Sequence, residues 1–261
     1  MTLLLHELKR NKLSLIIWSA AVAFMLGVCV LIYPEMAEQM KEMSDMFANM
    51  GALSDAFGLD QLGFKDFMGY FALEFGEMLC LGGGLFAAIL GAGMLAKEEK
   101  DHTAEFLLTH PISRVSVVTS KLLAVLIQVV VLNLATLIVT LICILAIGEQ
   151  LQVGTLALLF LAALILQLEI AAITFGLSSL LRRGALGLGL GLALGFYFMN
   201  LVANLSEQLE FVKYITPYGY ADAAHIVSEG RIEIKYLAVG LIVSAASIAL
   251  AYKKYTSKDI A

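Results

Sequence analysis

The chain alternates between long, nearly continuous apolar runs and short polar segments that carry most of its charge. A helix needs about 20 apolar residues to cross the hydrocarbon core of a bilayer, and the six runs are near or above that length. These runs must be helical, because lipid offers no partner for backbone polar groups and no run alternates with the period of a barrel strand. We therefore predict an all-α polytopic membrane protein with six transmembrane helices. The predicted spans are 13–33, 67–96, 122–147, 154–181, 184–204 and 236–252, within a single transmembrane domain covering residues 1–261.

Composition narrows the possible functions. Hydrophobic residues make up 60% of the 261 residues and charged residues only 15%, whereas a soluble domain carries about 25% charged residues. A large water-facing catalytic domain is therefore excluded. The net charge of −5 argues against a nucleic-acid partner. The function must be exercised in or across a membrane, with lipids as immediate neighbours.

Lys and Arg are distributed unequally between the two sets of alternate loops. Twelve of the 17 lie on the side that carries both termini, and five lie on the other side. Cytoplasmic loops are enriched in these residues, so we predict a multi-pass protein of the cytoplasmic membrane with both termini in the cytoplasm. In residues 1–12, Leu4 and Leu8 share a helical face opposite Glu7 and Lys9. This pattern predicts an interfacial helix leading into the first span, with a simple orientation anchor as the alternative.

Two segments on the predicted outer side are too long to be simple turns. Residues 34–66 carry an apolar stripe at helical spacing, which predicts an amphipathic helix on the outer interface. Methionine thioethers also bind Cu(I), so copper binding by the methionines of this stripe is an alternative interpretation. Residues 206–235 cluster aromatic side chains around Pro217, which predicts short helices that dip into the outer leaflet. The residues of the stripe are Met36, Met40, Met43, Phe47 and Met50.

Three acids lie inside predicted spans, where carboxylates are costly and are candidate functional groups. Glu74 and Glu77 are i, i+3 neighbours on one face in the outer half of the second span. They predict either a cation or cationic-substrate site opening outward, or a polar contact that holds this span to a neighbour. Glu169 in the fourth span is read as a hydrogen-bonding group between helices.

The fifth span repeats glycine at positions 187, 191 and 195. Gly187, Gly191 and Gly195 form a doubled G-x-x-x-G motif, which permits close approach of another helix. Contact within the monomer and contact across a homodimer are both open. At the outer end of this span, Asn200 and Asn204 either line a polar exit for a substrate or mark the membrane interface.

The segment 97–121 on the predicted cytoplasmic side contains a short amphipathic helix that ends before Pro111. Leu107 and Leu108 fall on a face that can rest on the membrane domain, which leaves Phe106 among polar side chains on the other face. An aromatic residue ringed by polar groups is typical of an anchor that enters a pocket of another protein. A solvated interfacial helix is the alternative.

The same segment resembles the signature that follows the second span in ABC-2 type transporter permeases. The resemblance rests on the paired acids at 98–99, TAEFLL at 103–108, PISR at 111–114 and the lysine that opens the next span. The six spans, the cytoplasmic termini, the N-terminal helix and the long segment between the last two spans are similar as well. The resemblance therefore covers essentially the whole chain. The chain departs from the pattern at His102-Thr103, where many members have Gly-Thr.

This resemblance implies the permease subunit of an ATP-binding cassette exporter, whose short cytoplasmic helix couples to a separate ATPase. It also implies that two permease chains, identical or related, form the transport path. ATP and Mg²⁺ would bind to the ATPase subunit, and this chain would hold no cofactor or metal. On the matching positions, the residues implied in coupling are Glu98, Glu99, Asp101, His102, Glu105, Phe106, Thr109 and Arg114.

The sequence contains no catalytic constellation of its own. It has no G-x-x-x-x-G-K-[ST] phosphate loop, no H-E-x-x-H and no G-x-S-x-G, and its four histidines are scattered along the chain. We therefore predict a transport subunit and not an enzyme. Two other functions remain open at this point: a gradient-driven carrier or ion pathway using Glu74 and Glu77, and a membrane scaffold that transports nothing.

Overall fold

The computed structural model describes residues 2–48, 66–100, 112–181, 185–205 and 207–257. These residues form eight α-helices, one π-helical turn and two 3₁₀ helices, and no strand occurs among them. The α-helices are α1 (Thr2–Ala48), α2 (Phe67–Phe75), α3 (Gly82–Lys100), α4 (Arg114–Ile147), α5 (Val153–Ser178), α6 (Ala185–Asn204), α7 (Ala223–Glu229) and α8 (Ile234–Ser257). The π-helical turn (Gly76–Leu81) joins α2 to α3, and the 3₁₀ helices are Glu207–Tyr214 and Pro217–Gly219.

Six helical units are long and apolar enough to cross a membrane: α1, the α2–α3 unit, α4, α5, α6 and α8. This confirms the predicted all-α polytopic fold. α3 and α5 lie at the centre, with α4 packed along α1, α6 packed on α3, and α8 packed on α5. The central pair approaches closely at Gly91, where a Cβ atom would lie 2.5 Å from the backbone oxygen of Ala171 in α5. Glycine permits this backbone contact because it carries no side chain.

Both termini lie at the same end of the bundle, which we call the proximal end. Near the N-terminus, Glu7 of α1 contacts Lys97 and Lys121. Near the C-terminus, the backbone oxygen of Thr256 accepts a hydrogen bond of 3.4 Å from Arg114 at the start of α4. The opposite end, where α6 ends and α8 begins, is the distal end.

The first helix differs from its predicted division. The interfacial helix expected over residues 1–12, the first span and residues 34–48 form one helix of 47 residues with Pro34 inside it. The stretch after Pro34 is rich in Met, Glu and Ala, which are good helix formers, so the helix continues beyond the proline. Thus residues 34–48 prolong α1 and do not form a separate interfacial helix. The side chains of Met40, Met43 and Phe47 and the whole of Met50 lie outside the described residues, so the copper reading is untested.

The predicted segment 97–121 is also divided differently. Its first residues belong to α3, which ends at Lys100, and its last residues belong to α4, which begins at Arg114. α4 starts there because the Ser113 side chain accepts a hydrogen bond from the backbone N–H of Ser116 at 3.2 Å, the geometry of a helix N-cap. Only the middle of the segment, residues 101–111, lies outside the described residues.

The segment between α6 and α8 folds back into the distal end of the bundle. Tyr218 and Tyr220 are almost fully buried. The Tyr218 hydroxyl donates to the backbone oxygen of Cys80 at 3.4 Å. In the first part of this segment, Glu210 accepts hydrogen bonds from Tyr236 at 2.6 Å and Lys235 at 2.9 Å. These bonds lower the pKa of its carboxyl group. The predicted short helices are therefore present and are fixed to several spans.

Candidate functional site

A cavity opens at the distal end between the π-helical turn, α6 and the segment before α7. Its interior volume is about 70 Å³, whereas one water molecule needs about 10–15 Å³ of such volume, so the cavity has room for a ligand of a few heavy atoms. Small apolar residues form much of its wall, and polar groups are concentrated at a few points. The polar and aromatic residues that line this distal cavity are Glu77, Tyr197, Asn200, Asn204, Tyr218 and Asp222.

Glu77 lies in the π-helical turn at the wall of the cavity. The Tyr197 hydroxyl of α6 donates to its Oε1 atom at 2.5 Å. Among the described residues, no partner contacts its second carboxylate oxygen within hydrogen-bonding distance. A carboxylate has about four acceptor sites, so Glu77 keeps capacity for a further donor. π-helical turns are rare and are frequent at functional sites, because the extra residue re-aims the neighbouring side chains.

Asp222 supplies the second carboxylate of the cavity, and its oxygens are used by the fold. Its Oδ1 atom accepts hydrogen bonds from the backbone N–H groups of Ala224 at 3.0 Å and His225 at 3.3 Å. These bonds cap the N-terminus of α7. Its Oδ2 atom accepts the side-chain amide of Asn204 at 3.0 Å. Asp222 is not among the residues predicted from the sequence, although an aspartate placed before a short helix is a recognisable capping signal.

Asn200 is 8% exposed and lines the same cavity from α6. Its side-chain oxygen is buried and has no hydrogen-bond partner among the described residues. Leaving a buried acceptor unsatisfied costs about 1–3 kcal/mol, so such groups in folded proteins call for a partner. Asn200 therefore contributes an acceptor that the fold itself does not use.

Three of the four residues predicted for a substrate path meet in this cavity: Glu77, Asn200 and Asn204. Glu74, the fourth, is not among the residues that line it. Its Oε2 atom accepts a hydrogen bond from the Cys29 thiol of α1 at 3.2 Å. Glu74 and Glu77 therefore contact different helices, and only Glu77 lines the cavity. The π-helical turn begins at Gly76, between the two acids, and alters the angular spacing that an α-helix would give them.

Glu169 lies between helices, as predicted. It accepts a hydrogen bond of 2.8 Å from the Tyr220 hydroxyl. A Cβ atom at Gly240 of α8 would lie 2.1 Å from its carboxylate, so a side chain at that position would displace the carboxylate of Glu169. Two residues away, Gln167 bridges the backbone oxygen of Leu79 at 3.0 Å and the amide of Asn133 at 2.7 Å. These buried polar groups join four helical units of the bundle.

The three glycines of the predicted motif in α6 contact no other described part of the chain. A Cβ atom at Gly187, Gly191 or Gly195 would have no neighbour within 4 Å among the described residues. The close contact of α6 is made instead by Gly189, where a Cβ atom would lie 2.8 Å from the Ala92 Cβ atom of α3. Contact of the three glycines with a second chain stays a prediction.

A group of charges is buried at the proximal end, and the sequence analysis did not anticipate it. Glu7 of α1 is 1% exposed and accepts hydrogen bonds from Lys97 at the end of α3 and from Lys121 in α4. Lys121 is fully buried; its Nζ atom lies 2.9 Å from Glu7 and 2.8 Å from the backbone oxygen of Met94. We call Glu7, Lys97 and Lys121 the proximal ion cluster. It fixes both ends of the segment 97–121 to the N-terminal helix.

The residues implied in coupling are only partly described. Glu98 and Glu99 lie in the last turn of α3, and their side chains are not among those described. Arg114 begins α4, and its guanidinium group contacts the end of α8. Asp101, His102, Glu105, Phe106 and Thr109 lie outside the described residues, so their predicted role is untested. Within the described ranges, no group of three or more His, Cys, Asp or Glu side chains could hold a metal ion.

Comparison with known families gives one match that covers nearly the whole chain. Residues 1–260 match the model of the ABC-2 family transporter protein. The comparison with curated proteins found no match.

Proposed function

Because the chain belongs to the ABC-2 family of transporter proteins, we propose that it is the membrane subunit of an ATP-binding cassette exporter. In this proposal both termini are cytoplasmic, so the proximal end faces the ATPase. ATP and Mg²⁺ bind to that separate subunit. The observation that carries the proposal is the family match over residues 1–260 in a chain with six long apolar helices. The absence of a phosphate loop from this sequence supports a separate ATPase.

The proximal ion cluster supports the proposed coupling route. A coupling helix transmits force only if its two ends are held by the membrane domain. Lys97 and Lys121 stand at the two ends of the segment 97–121, and Glu7 contacts both. The gradient-driven alternative requires Glu74 and Glu77 to act as a pair. The two acids instead contact different helices, Glu74 contacting α1 and Glu77 contacting α6, which favours the exporter.

Coupling is tested with Phe106→Ala and Glu105→Lys in the permease co-expressed with the proposed ABC ATPase subunit. Truncating an anchor at an interface costs about 2 kcal/mol or more, which lowers affinity by about 30-fold or more. We therefore expect both variants to insert normally but to lose most of the co-purified ATPase. Phe211→Ala is the matched control, because Phe211 is an exposed aromatic residue outside the coupling segment. Retention of the ATPase at the parent level by both test variants would refute the assignment.

We also propose that two copies of the permease meet through the open glycine face of α6. Gly191→Leu should lower the dimer fraction in nanodiscs, because a leucine side chain keeps two backbones apart. The monomer fold should persist, since a Cβ atom at Gly191 meets nothing within 4 Å. Gly154→Leu is the control, because Gly154 in α5 is equally open within the chain. A parent-like dimer fraction for Gly191→Leu would show that this face contacts lipid.

A further inference from the structure

The distal cavity carries acidic groups and acceptor oxygens without a basic side chain to neutralise them. Glu77 and Asp222 line it, and none of the described residues that line it is Lys, Arg or His. The cavity therefore favours a positively charged occupant, because a carboxylate in a partly desolvated site attracts a cation more strongly than it does in water. The proximal lysines are held by Glu7 at the other end of the bundle.

A second observation, independent of the charge, also indicates a ligand. Asn200 lines the cavity, and its side-chain oxygen is buried and lacks a partner among the described residues. Glu77, whose second carboxylate oxygen is also without a partner there, lines the same space. Two acceptors without donors fit an occupant that brings its own N–H groups.

The cavity does not suit a bare metal ion. Ca²⁺ takes about six to eight oxygen ligands and Mg²⁺ demands a near-ideal octahedron. Too few oxygen ligands are free for either ion. Both carboxylate oxygens of Asp222 already accept hydrogen bonds, which leaves those of Glu77 and Asn200. Among the described residues, no metal-binding group of acids, histidines or cysteines was found.

The walls favour an organic cation. The rings of Tyr197 and Tyr218 line the cavity and meet edge to face, with centroids 5.6 Å apart. Aromatic rings attract ammonium groups and pack against short apolar chains. The neighbouring wall is made of small apolar residues, and at Gly76 a Cβ atom would meet nothing within 4 Å. Space for a short carbon chain is therefore present beside the acceptors.

We propose that the distal cavity binds a small primary ammonium ion, with Glu77 as counter-ion and the Asn200 oxygen as a hydrogen-bond acceptor for its N–H groups. As a binding site it stands on the geometry alone. As the substrate class of the exporter it rests on the proposed function.

The test measures binding to the whole permease in nanodiscs, without the ATPase. Calorimetric titration uses butylammonium and, as a neutral ligand of the same size, butan-1-ol. We expect butylammonium to bind and butan-1-ol not to bind. Glu77→Gln should lower the affinity for butylammonium about ten- to hundredfold, because it removes the charge and keeps the volume. Glu74→Gln is the matched control: it removes an acid one turn away that contacts α1, and affinity should change less than about threefold.

Several outcomes overturn the site. Equal binding of butan-1-ol, parent-like affinity of Glu77→Gln, or equal loss in Glu74→Gln would each do so. Competition by Na⁺ as strong as that by butylammonium would overturn the organic class. If Glu77→Gln does not purify as a folded protein, Asn200→Asp replaces it. That variant adds a negative charge at the acceptor and should bind butylammonium more tightly, and unchanged or weaker binding would reject the site.

A separate arm distinguishes the site from the proposed function. The permease is reconstituted with its ATPase in liposomes, and ATP-dependent movement of butylammonium is measured. ATP-dependent movement that Glu77→Gln loses and Glu74→Gln keeps is the expected result. Binding without such movement would overturn the substrate assignment and leave the site intact. Absence of binding in the nanodisc titration would overturn the site, whatever ATP hydrolysis the complex shows.

Discussion

The proximal ion cluster and the distal cavity are both made of polar groups among apolar helices, yet they use those groups in opposite ways. In the proximal ion cluster each carboxylate oxygen of Glu7 accepts a hydrogen bond from a lysine ammonium group. Lys121 also donates a hydrogen bond to the backbone oxygen of Met94. In the distal cavity Glu77 has one hydrogen bond from Tyr197, and the Asn200 oxygen has none. The first region is satisfied by the chain itself, whereas the second has capacity left over.

This difference separates a structural role from a binding role. Buried polar groups that satisfy one another fix the arrangement of helices and make one arrangement more stable than the rest. A buried acceptor that stays unsatisfied lowers the stability of the fold. The proximal ion cluster therefore positions α1, α3 and α4. The Asn200 oxygen differs from the unsatisfied oxygens of Gln128 and Asn133 because Asn200 lines a cavity, where a ligand can supply the missing donor.

The largest effect is expected at the proximal end. Lys121→Met keeps most of the volume but leaves the buried Glu7 with one ammonium instead of two. Breaking a buried ion pair costs about 3–5 kcal/mol. We therefore expect a loss of about 3 kcal/mol or more in the free energy of unfolding, measured by denaturant titration in detergent. Lys253→Met is the control, because Lys253 is exposed near the proximal end of α8 and should change stability little.

A double variant checks that the loss comes from the pair. Replacing Glu7 with leucine in the Lys121→Met background removes the carboxylate that was left with one partner. Part of the stability should return, because apolar replacement of both members of a buried pair is often neutral or favourable. If Lys121→Met is as stable as Lys253→Met, the proximal ion cluster does not hold these helices together.

The smaller effect, with the opposite sign, is expected at the distal end. Asn200→Leu removes a buried acceptor that has no partner, so without ligand the free energy of unfolding should stay the same or rise by up to about 1 kcal/mol. Asn133→Leu is the matched control. Asn133 is also buried and its oxygen also lacks a partner, but its amide donates to Gln167 at 2.7 Å, and the loss of that bond should cost about 1–3 kcal/mol.

The same denaturant titration measures both asparagine variants. A loss of stability in Asn200→Leu equal to that in Asn133→Leu would mean that the Asn200 side chain serves the fold. The polar groups at both ends of the molecule would then serve the fold, and Asn200 could not be counted as an unsatisfied acceptor of the cavity.

Hydropathy was sufficient to predict the number and type of the spans, because crossing a bilayer imposes both length and helical conformation. It was not sufficient for helix ends that extend into water. α4 begins at Arg114 and not near residue 122 because the Ser113 cap acts locally and adds no apolarity. In the same way, helix-forming residues carry α1 past Pro34 without any hydropathy signal.

The candidate site was predictable where a residue was unusual for its surroundings. Glu77, Asn200 and Asn204 are polar residues in apolar runs, and all three line the distal cavity. Glu74 has the same signature but another partner, since the π-helical turn that begins between the two acids and contains Glu77 has no pattern in the sequence. Glu7 looked like one more charge on a polar helical face, and its burial depends on two lysines that lie about 90 and 114 residues away.

Pro34 interrupts the hydrogen bonding of the long first helix. Its nitrogen carries no hydrogen, so the backbone oxygen of Val30 lacks the bond that the next turn would normally supply. At the turn before this point, α1 contacts α2: the Tyr70 hydroxyl donates to the oxygen of Cys29 at 3.1 Å, and the Cys29 thiol donates to Glu74. In a helix about 70 Å long at 1.5 Å per residue, the turn that lacks one backbone hydrogen bond therefore lies beside α2, the helix that leads to the wall of the distal cavity.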